Sequence, residues 1–180
     1  MRSLFIFTLA GLVALSAGAV GAQPMPMPKK PNFAQFNYML GTWSCTSKSS
    51  RRTTPQRMSV TWSRDPSGYW FVGRGIMMGT PWFPHGSSGV DMIGYDYDAK
   101  RWVDVYTDSL GNYDLAASKG MAGTKMVWHS LVFTPTADML SVTDQTMVKV
   151  SPTKTVMYYG FTAKGGRKVT VTGTCTKQPI

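Results

Sequence analysis

The feature that most constrains this chain is a series of ten strand-length segments, running from Thr42 to Thr176, with little between them but short turn-forming links. In Met58-Ser-Val-Thr-Trp-Ser63 the apolar residues Met58, Val60 and Trp62 alternate with Ser59, Thr61 and Ser63, the two-residue period of a strand with one buried face. The same reading predicts strands over 42–48, 69–77, 90–97, 101–107, 113–118, 125–133, 139–150, 154–161 and 168–176. The links include Asp65-Pro-Ser-Gly68, Asp98-Ala-Lys100, Ser109-Leu-Gly-Asn112, Pro135-Thr-Ala-Asp138, Ser151-Pro-Thr153 and Lys164-Gly-Gly166. Their glycines accept positive φ, their prolines preset φ, and their Asp, Asn and Ser side chains bond to nearby backbone. Links this short place successive strands side by side and antiparallel. An open sheet of ten strands would leave two long unpaired edges, and closing it into a barrel removes them. The expected fold is therefore all-β, an antiparallel meander closed into a barrel of about 8–10 strands. The one long Pro- and Gly-rich link, Met78 to Gly89, is expected to lie over a barrel mouth.

Three segments precede the first strand. Residues 1–22 place Arg2 before an apolar run and end in Val20-Gly21-Ala22, the pattern of a secretory signal peptide. The apolar core, Leu4 to Leu15, is short for a membrane span, and no later stretch approaches the roughly 20 apolar residues that a spanning helix needs. Residues 23–31, with proline at almost every second position, read as an extended linker. Phe33, Phe36 and Leu40, at spacings of three and four, predict a short helix that Gly41 ends. The domain is then 32–180, and the location is periplasmic or secreted. Without Arg2, 18 Lys and Arg stand against nine acids, all of them Asp. The basic residues are dispersed, and only Arg51, Arg52, Arg57 and Arg64 form a local group, so nucleic acid is not an expected partner.

Two stretches resemble a known family. Gly41-Thr42-Trp43, after a short helix and at the start of the first strand, resembles the Gly-x-Trp signature of calycin-type barrels, the lipocalins and their relatives. Gly94 to Gly111, G-Y-D-Y-D-A-K-R-W-V-D-V-Y-T-D-S-L-G, is similar to a group of uncharacterised bacterial lipocalin-like proteins, in which a Gly-Tyr-Asp turn leads into an aromatic strand ending in Asp-Ser-x-Gly. The resemblance implies a calycin-like barrel, with Trp43 closing one end and a small apolar ligand inside. It does not assign a chemistry, because one fold hosts many functions.

The site expectations follow from strand parity. Cys45 shares a face with Trp43, and Cys175 with Val169 and Val171, so both point inward from the first and last strands. In a closed barrel those strands are neighbours, and in an oxidising compartment the pair is expected as a disulfide pinning the seam. His85, in the mouth loop, and His129, alternating with Val127, Leu131 and Phe133, are expected ligand contacts together with Tyr95 and Tyr97. No His-x-His or Cys-x-x-Cys spacing points to a metal; the haem-binding nitrobindins are similar in plan and hold haem by a late histidine that this chain does not match after His129, so no cofactor is expected. Asp104 and Asp108 are the pair that could serve as acid and base, although Asp108 suits a turn cap. The expected function is an exported, non-enzymatic barrel binding a small apolar molecule. The alternatives are an envelope interaction or inhibitor-like barrel, and an enzyme using Asp104 or His129.

Overall fold

The computed structural model describes residues 27–134 and 139–179. The expected leader, the start of the linker and the turn at 135–138 lie outside the described residues.

Asn32 caps a short helix, its Oδ1 accepting from the Ala34 N–H at 3.0 Å. The helix, Phe33–Met39, is 3₁₀ rather than α. With three residues per turn its buried stripe is Phe33, Phe36 and Met39, so Met39 takes the inward place that α spacing assigned to Leu40. Gly41, at φ 101°, then turns the chain into the first strand, a conformation in which any other residue is strained.

Eleven strands follow: β1 (Gly41–Ser49), β2 (Gln56–Arg64), β3 (Phe71–Met77), β4 (Ser87–Asp96), β5 (Arg101–Asp108), β6 (Tyr113–Ser118), β7 (Lys125–Phe133), β8 (Met139–Val142), β9 (Gln145–Ser151), β10 (Lys154–Ala163) and β11 (Lys168–Lys177). Each pairs antiparallel with its neighbour from β1 to β7, β9 pairs with β7 and β10, and β11 pairs with both β10 and β1. The sheet is therefore closed. β8 and β9 both pair with β10 and together occupy one place, which makes ten strand positions around the barrel. The sequence predicts them as one strand, 139–150. The break is at Thr143, whose N–H donates to the Gly160 carbonyl while its Oγ1 accepts from the Gly160 N–H, both at 2.8 Å.

The strand directions give the barrel two unlike ends. The 3₁₀ helix plugs one of them, burying Phe33 and Phe36 among Phe71, Ile93, Trp102, Met126 and Trp128. Trp43 lies at this end, its Nε1 donating to the Met39 carbonyl at 2.6 Å, so helix and β1 are locked together. At the other end stand the starts of β2 and β4, the end of β3 and the loop 78–86. That loop is shorter than expected because β4 begins at Ser87 rather than Val90. It is held beside the β1–β2 link, where Trp82 Nε1 donates to the Thr54 carbonyl at 3.3 Å and Arg52 lies 5.2 Å from the Trp82 ring centre.

Candidate ligand cavity

Alternation along β1, β2 and β11 points Trp43, Cys45, Met58, Val60, Gly173 and Cys175 inward, and these form one wall of a cavity of about 340 Å³. Trp128, Met147 and Met157 form another. The cavity runs from Met39 and Trp62, above the helical plug, to Ser47, Gln56 and Met77 near the far end. Gln56 stands there, buried, with its Nε2 donating to the Met78 carbonyl at 2.5 Å, which ties the mouth loop to the cavity rim. The size is at the lower end of the range for small-molecule sites, and aromatic rings with thioethers make adaptable apolar walls. The interior is hollow because several inward positions carry little or no side chain. Gly173, on the inward parity of β11, is the clearest that lines the cavity, whereas at Gly89 the Tyr106 ring takes the place of a side chain.

The polar side of the cavity is acidic. Asp91 on β4 is opposite Tyr106 on β5, which is in turn opposite Asp114 on β6. Asp104 precedes Tyr106 by two residues and so faces the same way. The four side chains therefore share one inner wall, and Tyr159 of β10 lines the same space. Ser130 Oγ donates to Asp114 Oδ1 at 2.8 Å. Asp104 Oδ1 is buried and has no hydrogen-bond partner. Burial pushes the Asp91 carboxyl up to about 7, and the nearby Asp114 adds to the rise. Asp104 is held well above the usual carboxylate range by burial first and then by Asp91 and Asp114. The Tyr106 phenol is raised by burial, then by Asp108 and Asp91, and Tyr159 by burial. Among the described residues that line the cavity there is no Lys, Arg or His to balance these acids.

A second cavity, about 210 Å³, shares Asp104, Asp114, Trp128, Gln145 and Tyr159 with the first and extends to Met139, Val142 and Phe161. Its position follows from a short seam. The β7–β9 ladder runs from Lys125↔Val148 to Trp128↔Gln145, after which β7 continues along β6 while β8 follows β10. Asp104 and Asp114 thus line both cavities.

The residues singled out from the sequence are dispersed by the fold. Cys45 and Cys175 are opposite each other in the β1–β11 ladder and form the disulfide. Asp108 is tied into its turn, Oδ1 accepting from the N–H groups of Leu110 and Asn112, both at 2.9 Å, and Oδ2 accepting from Asn112 Nδ2. His85 is exposed in the mouth loop. Tyr95 packs 5.0 Å from Trp102 and 4.9 Å from Tyr97 at the plugged end, and neither tyrosine lines the cavity. His129 faces outward, just past the last rung of the β7–β9 ladder, with Nδ1 2.8 Å from Asp144 Oδ2. Both faces of β7 are apolar, and the inward one carries Met126 and Trp128 rather than Val127, His129 and Leu131. The acidic wall was not anticipated as a site. Its signal in the sequence is an aspartate at an inward position of a strand, as in Trp102-x-Asp104-x-Tyr106, where solvent exposure does not account for the charge.

Among the described residues no three His, Cys, Asp or Glu side chains are placed to hold one metal ion, and no helix is long and apolar enough to cross a membrane. No family model matches the chain, and no curated protein matches it. Among solved structures it is similar to an S-type phycobiliprotein lyase, CPES, from Guillardia theta, at 7% identity with a TM-score of 0.45, over 81% of this chain and 91% of that one. A likeness of that degree carries no inference about what this barrel binds.

Proposed function

We propose that this chain is an exported, non-enzymatic calycin-like barrel that holds a small molecule with a largely apolar body. The observation that carries this reading is the interior itself: about 340 Å³ enclosed by Trp43, Met58, Trp128, Met147 and Met157. A barrel built only for stability fills its inside with side chains, as interiors are otherwise close-packed. Export is supported by the leader sequence and by a disulfide of the kind that persists in oxidising compartments. The absence of catalysis is supported by Asp108, which is held in a turn and cannot partner Asp104 as acid and base.

The test is equilibrium titration with a neutral apolar fluorophore, N-phenyl-1-naphthylamine, against wild type and Gly173→Leu. Gly173 lines the cavity, and a Cβ there would lie 3.2 Å from Met157 Cε, so a leucine fills the space a ligand would take. Saturable one-to-one binding that weakens at least tenfold in Gly173→Leu is expected. Lack of saturation, or binding indifferent to Gly173→Leu, would refute an interior site.

A further inference from the structure

The acidic wall narrows the class of ligand. Asp91, Asp104 and Asp114 converge on the cavity from three adjacent strands, and the lining brings no cation to meet them. For a structural role this is a costly arrangement: buried carboxyls without a counter-charge oppose folding, and isosteric neutral residues would fill the same volume. Asp114 has Ser130 as a donor, whereas Asp104, a half-buried residue of the cavity lining, has its Oδ1 buried without a hydrogen-bond partner. A ligand that brings N–H donors and positive charge to this wall would meet the carboxyl groups and relieve the repulsion among the three acids. The rest of the site suits such a group. Tyr106 and Tyr159 line the cavity with the carboxyls, Trp43 and Trp128 line the same space, and aromatic rings attract cations.

We propose that the cavity binds a small organic cation, a protonated amine carried on an apolar or aromatic body, with the ammonium seated against Asp104 between Asp91 and Asp114. This rests on the reading of the interior as a ligand site. A metal ion is the poorer occupant, because among the described residues no three ligating side chains are placed to hold one ion, and most of the lining is apolar. Binding is coupled to protons. Asp104, faced by Asp91 from β4, Asp114 from β6, Tyr106 from its own strand and Tyr159 from β10, is held well above the usual carboxylate range and so takes a proton more readily than in water. The incoming ammonium stabilises the carboxylate and expels that proton, so affinity rises with pH until the amine itself deprotonates.

A matched set of probes tests this by calorimetry: 1-naphthylmethylamine as the cation, 1-naphthalenemethanol as its neutral isostere and 1-naphthoate as the anion. At pH 7.5 the amine is expected to bind at least tenfold more tightly than the alcohol, and the naphthoate more weakly than either. Asp104→Asn should reduce amine affinity at least tenfold and change that for the alcohol less than twofold. Asp91→Asn should weaken the amine in the same sense, and gives the same reading if Asp104→Asn does not fold. Amine affinity should increase between pH 6 and pH 8, with a buffer-dependent heat showing proton release. An amine that binds no better than the alcohol, or whose affinity is unchanged by pH or by the Asp→Asn variants, would overturn the cation proposal while leaving the cavity reading intact. If none of the three probes and not N-phenyl-1-naphthylamine binds, the cavity reading itself fails. Saturable Ca²⁺ binding that depends on Asp104 would overturn the proposal in favour of a metal.

Discussion

A carboxyl group enclosed with two others takes its proton more readily than it does in water. For Asp91 and Asp104 the folded pKa values lie above the unfolded ones, so between those values the native state binds more protons than the unfolded chain. Stability from this source is full below about pH 4, the ordinary carboxylate range, and is lost as pH rises through the folded values. For Asp91 the loss is spread from about pH 4 to about 7, and Asp104 contributes in the same sense. Ligand-free protein is therefore expected to melt at lower temperature at pH 8 than at pH 5. Asp104→Asn should raise the pH 8 melting temperature and flatten the slope. A variant that melts lower than wild type at pH 8 would contradict the buried, repelled carboxyl. Asp104 was visible in the sequence only as an aspartate in an aromatic strand. Its partner was sought in Asp108, which shares its strand, whereas the neighbours that matter, Asp91 and Asp114, come from the strands on either side.

Elements were more legible than sites, because a strand's alternation is local. Met58, Val60 and Trp62 face inward as their spacing implied, and Cys45 and Cys175 lie on the faces that parity assigned. Legibility failed where the local signal was double. On β7 both faces are apolar, and the choice between Trp128 and His129 as the inward residue was made by packing. The helix shows the same limit: its i, i+3 spacing fits an α-helix as well as a 3₁₀ turn, and what selects the tighter form is the fit of Phe33, Phe36 and Met39 into the barrel end. Phe36 is the centre of that fit, fully buried, with its ring 4.8 Å from Trp102 and 5.8 Å from Phe71. Phe36→Ala is expected to cost about 3–5 kcal/mol, read as a fall in the urea midpoint. A loss under 1 kcal/mol would mean that the helix is not integral to the core.

At the scale of the whole molecule, closure of the sheet is the decisive event, and it joins residues 130 positions apart. The β1–β11 ladder runs from Trp43↔Lys177 to Ser49↔Val171, so backbone pairing alone closes the seam and the Cys45–Cys175 bridge secures it. The Cys45→Ala, Cys175→Ala double variant is accordingly expected to fold into the same barrel but to lose about 3–5 kcal/mol, because the unfolded chain regains the freedom of a long loop. Both cysteines are buried, so dithiothreitol should leave the native bridge intact for hours without denaturant and reduce it readily in urea. Rapid reduction of the native protein, seen as two alkylated thiols by mass spectrometry, would show that the seam opens freely.

Alternation, turn residues and the two inward cysteines, all properties of short stretches, were enough to determine an antiparallel meander and to indicate that it closes. Only the tertiary structure decided what the closed barrel contains. The register between strands and the stagger of closure set which inward side chains meet, and these are relations between residues far apart in the chain. Gly-x-Trp at the start of β1 marks the plugged end from sequence alone. The hollow above it, and the three aspartates brought to one wall of that hollow, exist only once β4, β5 and β6 lie in register.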